Sequence, residues 1–145
     1  MVFKLNAKHL THLSVEERKL VSGLFSSNSK DRITHARKIM LLKLKRKKLV
    51  PFLIHGLSDS EHRVRRYSFL SIKKMASSEH VPLIAKLFRT SDYIAKNLAA
   101  ELLEELPFKE AVPFLLRAFK KSFKTEPGLR SRTAFALAKH GCIKI

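Results

Sequence analysis

Tryptophan is absent, cysteine occurs once, glycine four times and proline five times, and only 12 aspartates and glutamates stand against 30 lysines and arginines, a net charge of +18. A single thiol, Cys142, forms no internal disulfide and builds no Cys-rich metal site, so nothing argues for an oxidising compartment. The four glycines, at 23, 56, 128 and 141, are isolated, which excludes a glycine-rich phosphate loop and with it a nucleotide-hydrolysing enzyme. Scarce glycine and proline disfavour the turn-rich spacing of a β-sandwich. The longest apolar stretches, such as residues 49–54, reach a third of the roughly 18 residues that a membrane span needs. Lys4, Asn6, Lys8 and His9 interrupt any signal-peptide apolar core, so the expectation is a soluble, cytoplasmic protein. With 145 residues and 45% hydrophobic content the chain is long enough for one packed domain, and disorder throughout is excluded.

What is present is a repeat. Pro51, Pro82 and Pro113 lie 31 residues apart and each follows a valine: Val50, Val81, Val112. From each valine, apolar residues fall at i, i+3, i+4 and i+7, one stripe of an α-helix: Val50, Leu53, Ile54, Leu57; Val81, Ile84, Ala85, Phe88; Val112, Leu115, Leu116, Phe119. Proline is tolerated in the first turn, where its missing N–H has no helical partner. A polar break and a second helix follow each time, starting near Val64, Ile94 and Leu129, with Ser91 as the expected N-cap of the middle one and Pro127-Gly128 interrupting the chain before the last. A degenerate copy precedes these three, with a Ser14–Glu17 capping box, the stripe Leu20, Val21, Leu24, and a partner helix over about residues 31–46. The expectation is an all-α fold: an N-terminal extension (1–13), four helical hairpins (14–47, 48–77, 78–108, 109–141) and a tail (142–145), about eight helices stacked as a right-handed α-solenoid in one domain.

The apolar-Pro start, Asp59 in the turn, Val64-Arg65, and Leu129-Arg130 with Ala134, Ala136 and Leu137 resemble the HEAT repeats, specifically the short bacterial and archaeal variety named after phycobilisome lyases. In the third copy Ala95 stands where the arginine is expected. The resemblance covers residues 14–141 and implies a binding scaffold whose second helices line a concave face. It also implies that Arg65 pairs with a turn carboxylate, Asp59 or Asp92, as a structural ladder, while Arg130 has no Asp in its own turn.

Charge divides unevenly. Residues 1–50 hold 13 basic and 3 acidic residues, 51–110 hold 9 and 8, and 111–145 hold 8 and 1. The run Lys43, Lys45, Arg46, Lys47 and Lys48 is read as the end of the second helix, where the dipole accommodates one or two cations. A phosphate or acidic-protein contact, an import signal, and a solvated helix end are the readings of the rest. On the second helices the third, fourth, seventh and eleventh positions point away from the core: Arg66, Tyr67, Leu70 and Lys74; Lys96, Asn97, Ala100 and Glu104; Ser131, Arg132, Phe135 and Lys139; with Arg37 and Lys38 added from the first copy. Cations interleaved with Tyr67 and Phe135 suit a nucleic-acid groove, phosphates on the cations and bases on the rings. The competing reading packs both rings between neighbouring helices, and for Phe135 packing is expected.

No catalytic residues, cofactor or metal are expected. The pairs Glu61-His62 and Glu79-His80 resemble, in reversed order, the His-Glu pairs of the HEAT-repeat hydroxylase that modifies deoxyhypusine, but they lack i, i+4 spacing and read as solvated charges at helix starts. His9 and His12 read as surface, and Cys142 as a bland thiol beside His140. The basic HEAT-like alkylpurine DNA glycosylases are a minor alternative, since they depend on Trp and an Asp that the concave positions here do not supply. The leading expectation is a non-catalytic module that binds RNA or DNA backbone without strong sequence specificity. A scaffold docking an acidic protein is the rival, with neither a membrane nor a small-molecule substrate as partner.

Overall fold

In the computed structural model, which describes residues 5–142, the chain is helical and, among those residues, has no strand. The α-helices are α1 (Ala7–Leu10), α2 (Val15–Leu24), α3 (Ser29–Met40), α4 (Val50–Gly56), α5 (His62–Met75), α6 (Val81–Ala85), α7 (Tyr93–Glu105), α8 (Val112–Ser122) and α9 (Pro127–Lys139). Two compact units divide the chain, Met1–Met75 and Ala76–Ile145. In the first unit α2 packs on α3, α4 on α5, and α3 beside α5. In the second, α6 packs on α7, α8 on α9, α7 beside α9 and α6 beside α8. Residues 1–4 of the expected N-terminal extension and 143–145 of the expected tail lie outside the described residues.

The repeat is visible in detail. Short 3-10 turns precede α4, α6 and α8 at Lys47–Leu49, Ser78–His80 and Lys109–Ala111, again 31 residues apart. Leu53, Ile84 and Leu115 are each fully buried, as are Ile72, Leu103 and Leu137 on the second helices of the same hairpins and Ile39 on that of the first. α2 opens on the expected capping box, with the Ser14 amide donating to Glu17 Oε1 at 2.9 Å and the Glu17 amide to Ser14 Oγ at 3.1 Å.

Several boundaries differ from the sequence reading. α3 stops at Met40, so the basic run is no helix end: residues 41–46 form an irregular link to the 3-10 turn. Continuing the helix would align Lys43 with Lys47 at i, i+4, a like-charge pair. The Lys74 ammonium meanwhile donates to the carbonyls of Met40, at 2.9 Å, and Leu42. Asp92, not Ser91, caps α7, accepting from the Ala95 amide at 3.0 Å. α9 starts at Pro127 itself, and α1 is an extra short helix capped by Asn6. The stripe on α7 begins one residue later than expected, with Ala95 buried and Ile94 50% exposed. Ala95 therefore matches Val64 and Leu129, and Lys96 occupies the arginine position. Leu116, expected in the core, is 37% exposed, and Ala100, expected on the surface, is buried.

Candidate nucleic-acid interface

The repeated basic position on the second helices is occupied by Arg32, Arg65, Lys96 and Arg130; the three arginines each bind carbonyls of the turn in their own hairpin, and Lys96 instead reaches Glu126 in the turn of the next. Arg32 Nη1 donates to the Ser26 and Ser27 carbonyls at 3.0 and 3.3 Å, and Arg65 Nη1 to the Asp59 and Ser60 carbonyls at 2.8 and 3.2 Å, 33 residues later. Arg130 donates to the Phe123 carbonyl at 3.1 Å, its guanidinium 4.9 Å from the centre of that ring. Arg65 is thus structural, but through carbonyls: the Asp59 carboxylate belongs to Arg32, which grips it at 2.9 and 3.3 Å. Lys96 does the same in the second unit, holding both Glu126 oxygens at 3.0 and 3.2 Å. The Asp92 side chain is committed to its cap.

These pairings sort the expected interface residues. Lys74 caps α3, Lys96 is bound to Glu126, and Arg132 lies 3.6 Å from Glu104. In the basic run Arg46 folds back onto the start of α2, 3.6 Å from Glu16 and 3.8 Å from Glu17, and Lys48 donates to the His12 carbonyl at 3.2 Å. Lys47 is exposed. Arg37, Lys38, Lys43, Lys45, Arg66 and Lys139 are exposed too, and none of these six makes an ion pair or side-chain hydrogen bond among the described residues. Leu41 and Leu44, 62% and 69% exposed, interleave with the lysines of the linking segment. Tyr67 is half-buried, whereas Phe135 is 56% exposed rather than packed between helices. α9 has cores of Thr133, Ala136 and Leu137 on its other side, and the Phe135 ring falls on the solvent face.

Carboxylates supply less of the surface than their number suggests. Glu17 is buried, with its carboxyl held below the ordinary glutamate range chiefly by the Ser14 amide, against the opposing effect of burial, and further by the Ser14 side chain and the charges of Arg46 and Lys48. Each carboxylate committed to a cap or an internal pair is one fewer to neutralise an exposed cation.

Sequence reasoning missed a second basic group. Lys86, Arg89, Arg117 and Lys121 gather with Lys96 around one pocket of the second unit. The available signal was the repeat, since Lys86, in the 3-10 turn Lys86–Arg89 that continues α6, and Arg117, on α8, are 31 residues apart. The histidines read differently as well. His80 is buried, its Nδ1 accepting from the Ser77 amide at 3.0 Å, rather than a solvated charge. His140 Nε2 sits 2.7 Å from the Leu103 carbonyl, and the exposed Cys142 faces the His140 carbonyl at 3.9 Å. Among the described residues no three His, Cys, Asp or Glu side chains cluster as metal ligands, and no helix is long and apolar enough to cross a membrane.

No protein-family model matches the chain, and no curated protein matches it. Among solved structures it is similar to the crystal structure of an engineered protein from the Northeast Structural Genomics Consortium, at 18% identity and a TM-score of 0.54. The match covers 88% of this chain and 63% of that one, and is a likeness of fold.

Proposed function

We propose that the protein is a non-catalytic binding module, a right-handed α-solenoid of HEAT-like hairpins, whose basic surfaces take nucleic-acid backbone with little dependence on base sequence. The observation that supports the reading is the fate of the carboxylates. Glu17, Asp59, Asp92, Glu104 and Glu126 are engaged in caps or ion pairs inside their own unit. Arg37, Lys38, Lys43, Lys45, Arg66 and Lys139 are left facing solvent without a partner of opposite charge among the described residues. Exposed cations of this kind bind phosphates by releasing counterions, which supplies affinity without sequence information.

The test is a salt titration with RNA and DNA, single-stranded and duplex. If about five phosphates are neutralised, the log–log slope on duplex falls near −0.9 per phosphate contacted. Replacing Lys43 and Lys45 by Ala lowers its magnitude by about 2 if both touch phosphates. Absence of binding to every probe at micromolar protein overturns the reading in favour of the acidic-protein scaffold.

A further inference from the structure

The second unit contains a partly enclosed pocket of about 140 Å³ between the first helices of its two hairpins and the start of α9. Its walls are chemically divided. Ala85, Phe88, Phe114, Ala118 and Leu129 line it with apolar surface. Lys86, Arg89, Arg117 and Lys121 are exposed at its edge, and Arg117 lies 5.9 Å from the centre of the Phe114 ring. Glu126, the one carboxylate present, is already neutralised by Lys96. Five cations against one paired carboxylate select an anionic occupant, and an apolar lining requires that the anion be attached to an apolar body. The volume is close to that of a cavity that admits a single aromatic ring, about 150 Å³.

We infer that this pocket takes a pyrimidine nucleotide unit, its ring against Phe88 and Phe114 and its phosphate on Lys86, Arg89, Arg117 and Lys121. This rests on, and deepens, the proposed backbone binding. Rings and guanidinium planes are the groups on which an unpaired base stacks, and the cations supply the phosphate attraction. A residue within a single strand and a free nucleotide present the same chemistry. The strand is favoured because Lys121 also borders a shallower furrow with Lys120, Lys124 and the 53%-exposed Phe123, where the neighbouring phosphates would run. None of its lining residues is among the exposed cations of the second helices or of the 41–48 link named above.

The probes are a fluorescent eight-residue oligothymidylate, an abasic oligomer of the same length and charge, and free thymidine monophosphate as competitor, all at low salt. The inference expects the thymidylate oligomer to bind at least threefold tighter than the abasic one. Phe114→Ala, which takes away a stacking ring, removes that preference, and Lys109→Ala, an exposed cation outside the pocket, weakens both oligomers equally. Ala118→Leu, which fills the cavity without changing charge, abolishes the preference and leaves abasic binding intact. If Ala118→Leu fails to fold, Phe114→Ala decides. Equal affinity for the two oligomers in the wild type overturns the pocket while the backbone reading survives. Competition by thymidine monophosphate without binding of either oligomer keeps the pocket, assigns it to the free nucleotide, and overturns the backbone reading. No binding of any probe overturns both.

Discussion

The two units meet the same packing problem with different residues, and one hairpin of the second reverses the choice made in the first. In the first, the first helices carry glycine at the closest approach to their partners. A Cβ on Gly23 would lie 2.0 Å from the His35 ring, and a Cβ on Gly56 2.0 Å from Ser68 Oγ. Carried forward by the repeat, those two positions become Leu87 with Ala99 and Ala118 with Thr133 in the second unit. Where the first helix gives up its side chain the second supplies one, and where the first helix has leucine the second has alanine. A fixed volume can therefore be filled from either side, and the constraint lies on the pair of positions rather than on either residue alone. The ladder pairs differ in the same spirit: Arg32 with Asp59 in the first unit, Lys96 with Glu126 in the second.

The comparison is broken most directly in the core. Leu53→Ala in the first unit and Leu115→Ala in the second each remove a fully buried side chain at equivalent positions, and each is expected to cost about 2–5 kcal/mol in denaturant unfolding. A cost under about 1 kcal/mol at either site would show that the 31-residue register does not set equivalent packing. Next in size is Gly56→Ala. Helix propensity alone favours alanine by about 1 kcal/mol, yet the clash with Ser68 makes the substitution destabilising by about 1–3 kcal/mol. At the equivalent Ala118 no such asymmetry applies, and Ala118→Gly loses about 1 kcal/mol of propensity. Thermal melts that rank Gly56→Ala above the wild type would refute the close approach.

Much of this was legible in the sequence, and the exceptions have identifiable causes. The valine-proline spacing and the apolar stripes locate α4, α6 and α8, and the Ser14–Glu17 box locates α2, because these signals are local. The end of α3 was hidden by Leu41, Leu42 and Leu44, which continue an apolar pattern past Met40 although the interleaved lysines repel one another along a helix. The register of α7 was ambiguous because Ile94 and Ala95 are both apolar, and the packed structure chose the smaller. Placing Lys96 correctly follows from that choice. The pocket was missed for a different reason: its exposed cations come from α8 and from the 3-10 turn after α6, and nothing local distinguishes them from a solvated face.

The ladder offers a sharper, smaller test. Asp59 holds Arg32 through both oxygens and also accepts from the Glu61 amide at 2.9 Å, while Glu126 holds only Lys96 and its side chain is more exposed, at 27% against 12%. Asp59→Asn is therefore expected to cost about 2 kcal/mol, and Glu126→Gln about 1 kcal/mol or less. Equal costs would mean that the turn amide and the second arginine contact contribute nothing.

The smallest expected effect separates the units by pH. In the first unit Glu17 has its folded-state pKa lowered, so its contribution is present above the ordinary value of 4.5 and is lost as pH falls through the folded value. His55, also in the first unit, is lowered from 6.5, mainly by desolvation and secondarily by the charge of His9. A base whose folded pKa is depressed binds fewer protons in the folded state, so below pH 6.5 protonation favours the unfolded chain until the folded value is passed. Both signs agree: acidification weakens the first unit, beginning below 6.5 and deepening below 4.5. Glu17→Gln should flatten the lower part of that profile at the cost of one capping interaction, about 1 kcal/mol near neutrality, and His55→Gln the upper part. Amide hydrogen exchange resolved along the chain at pH 7, 5.5 and 4 reads the effect in α2 and α4. Unchanged acid sensitivity of α2 in Glu17→Gln would remove the capping carboxylate from the account.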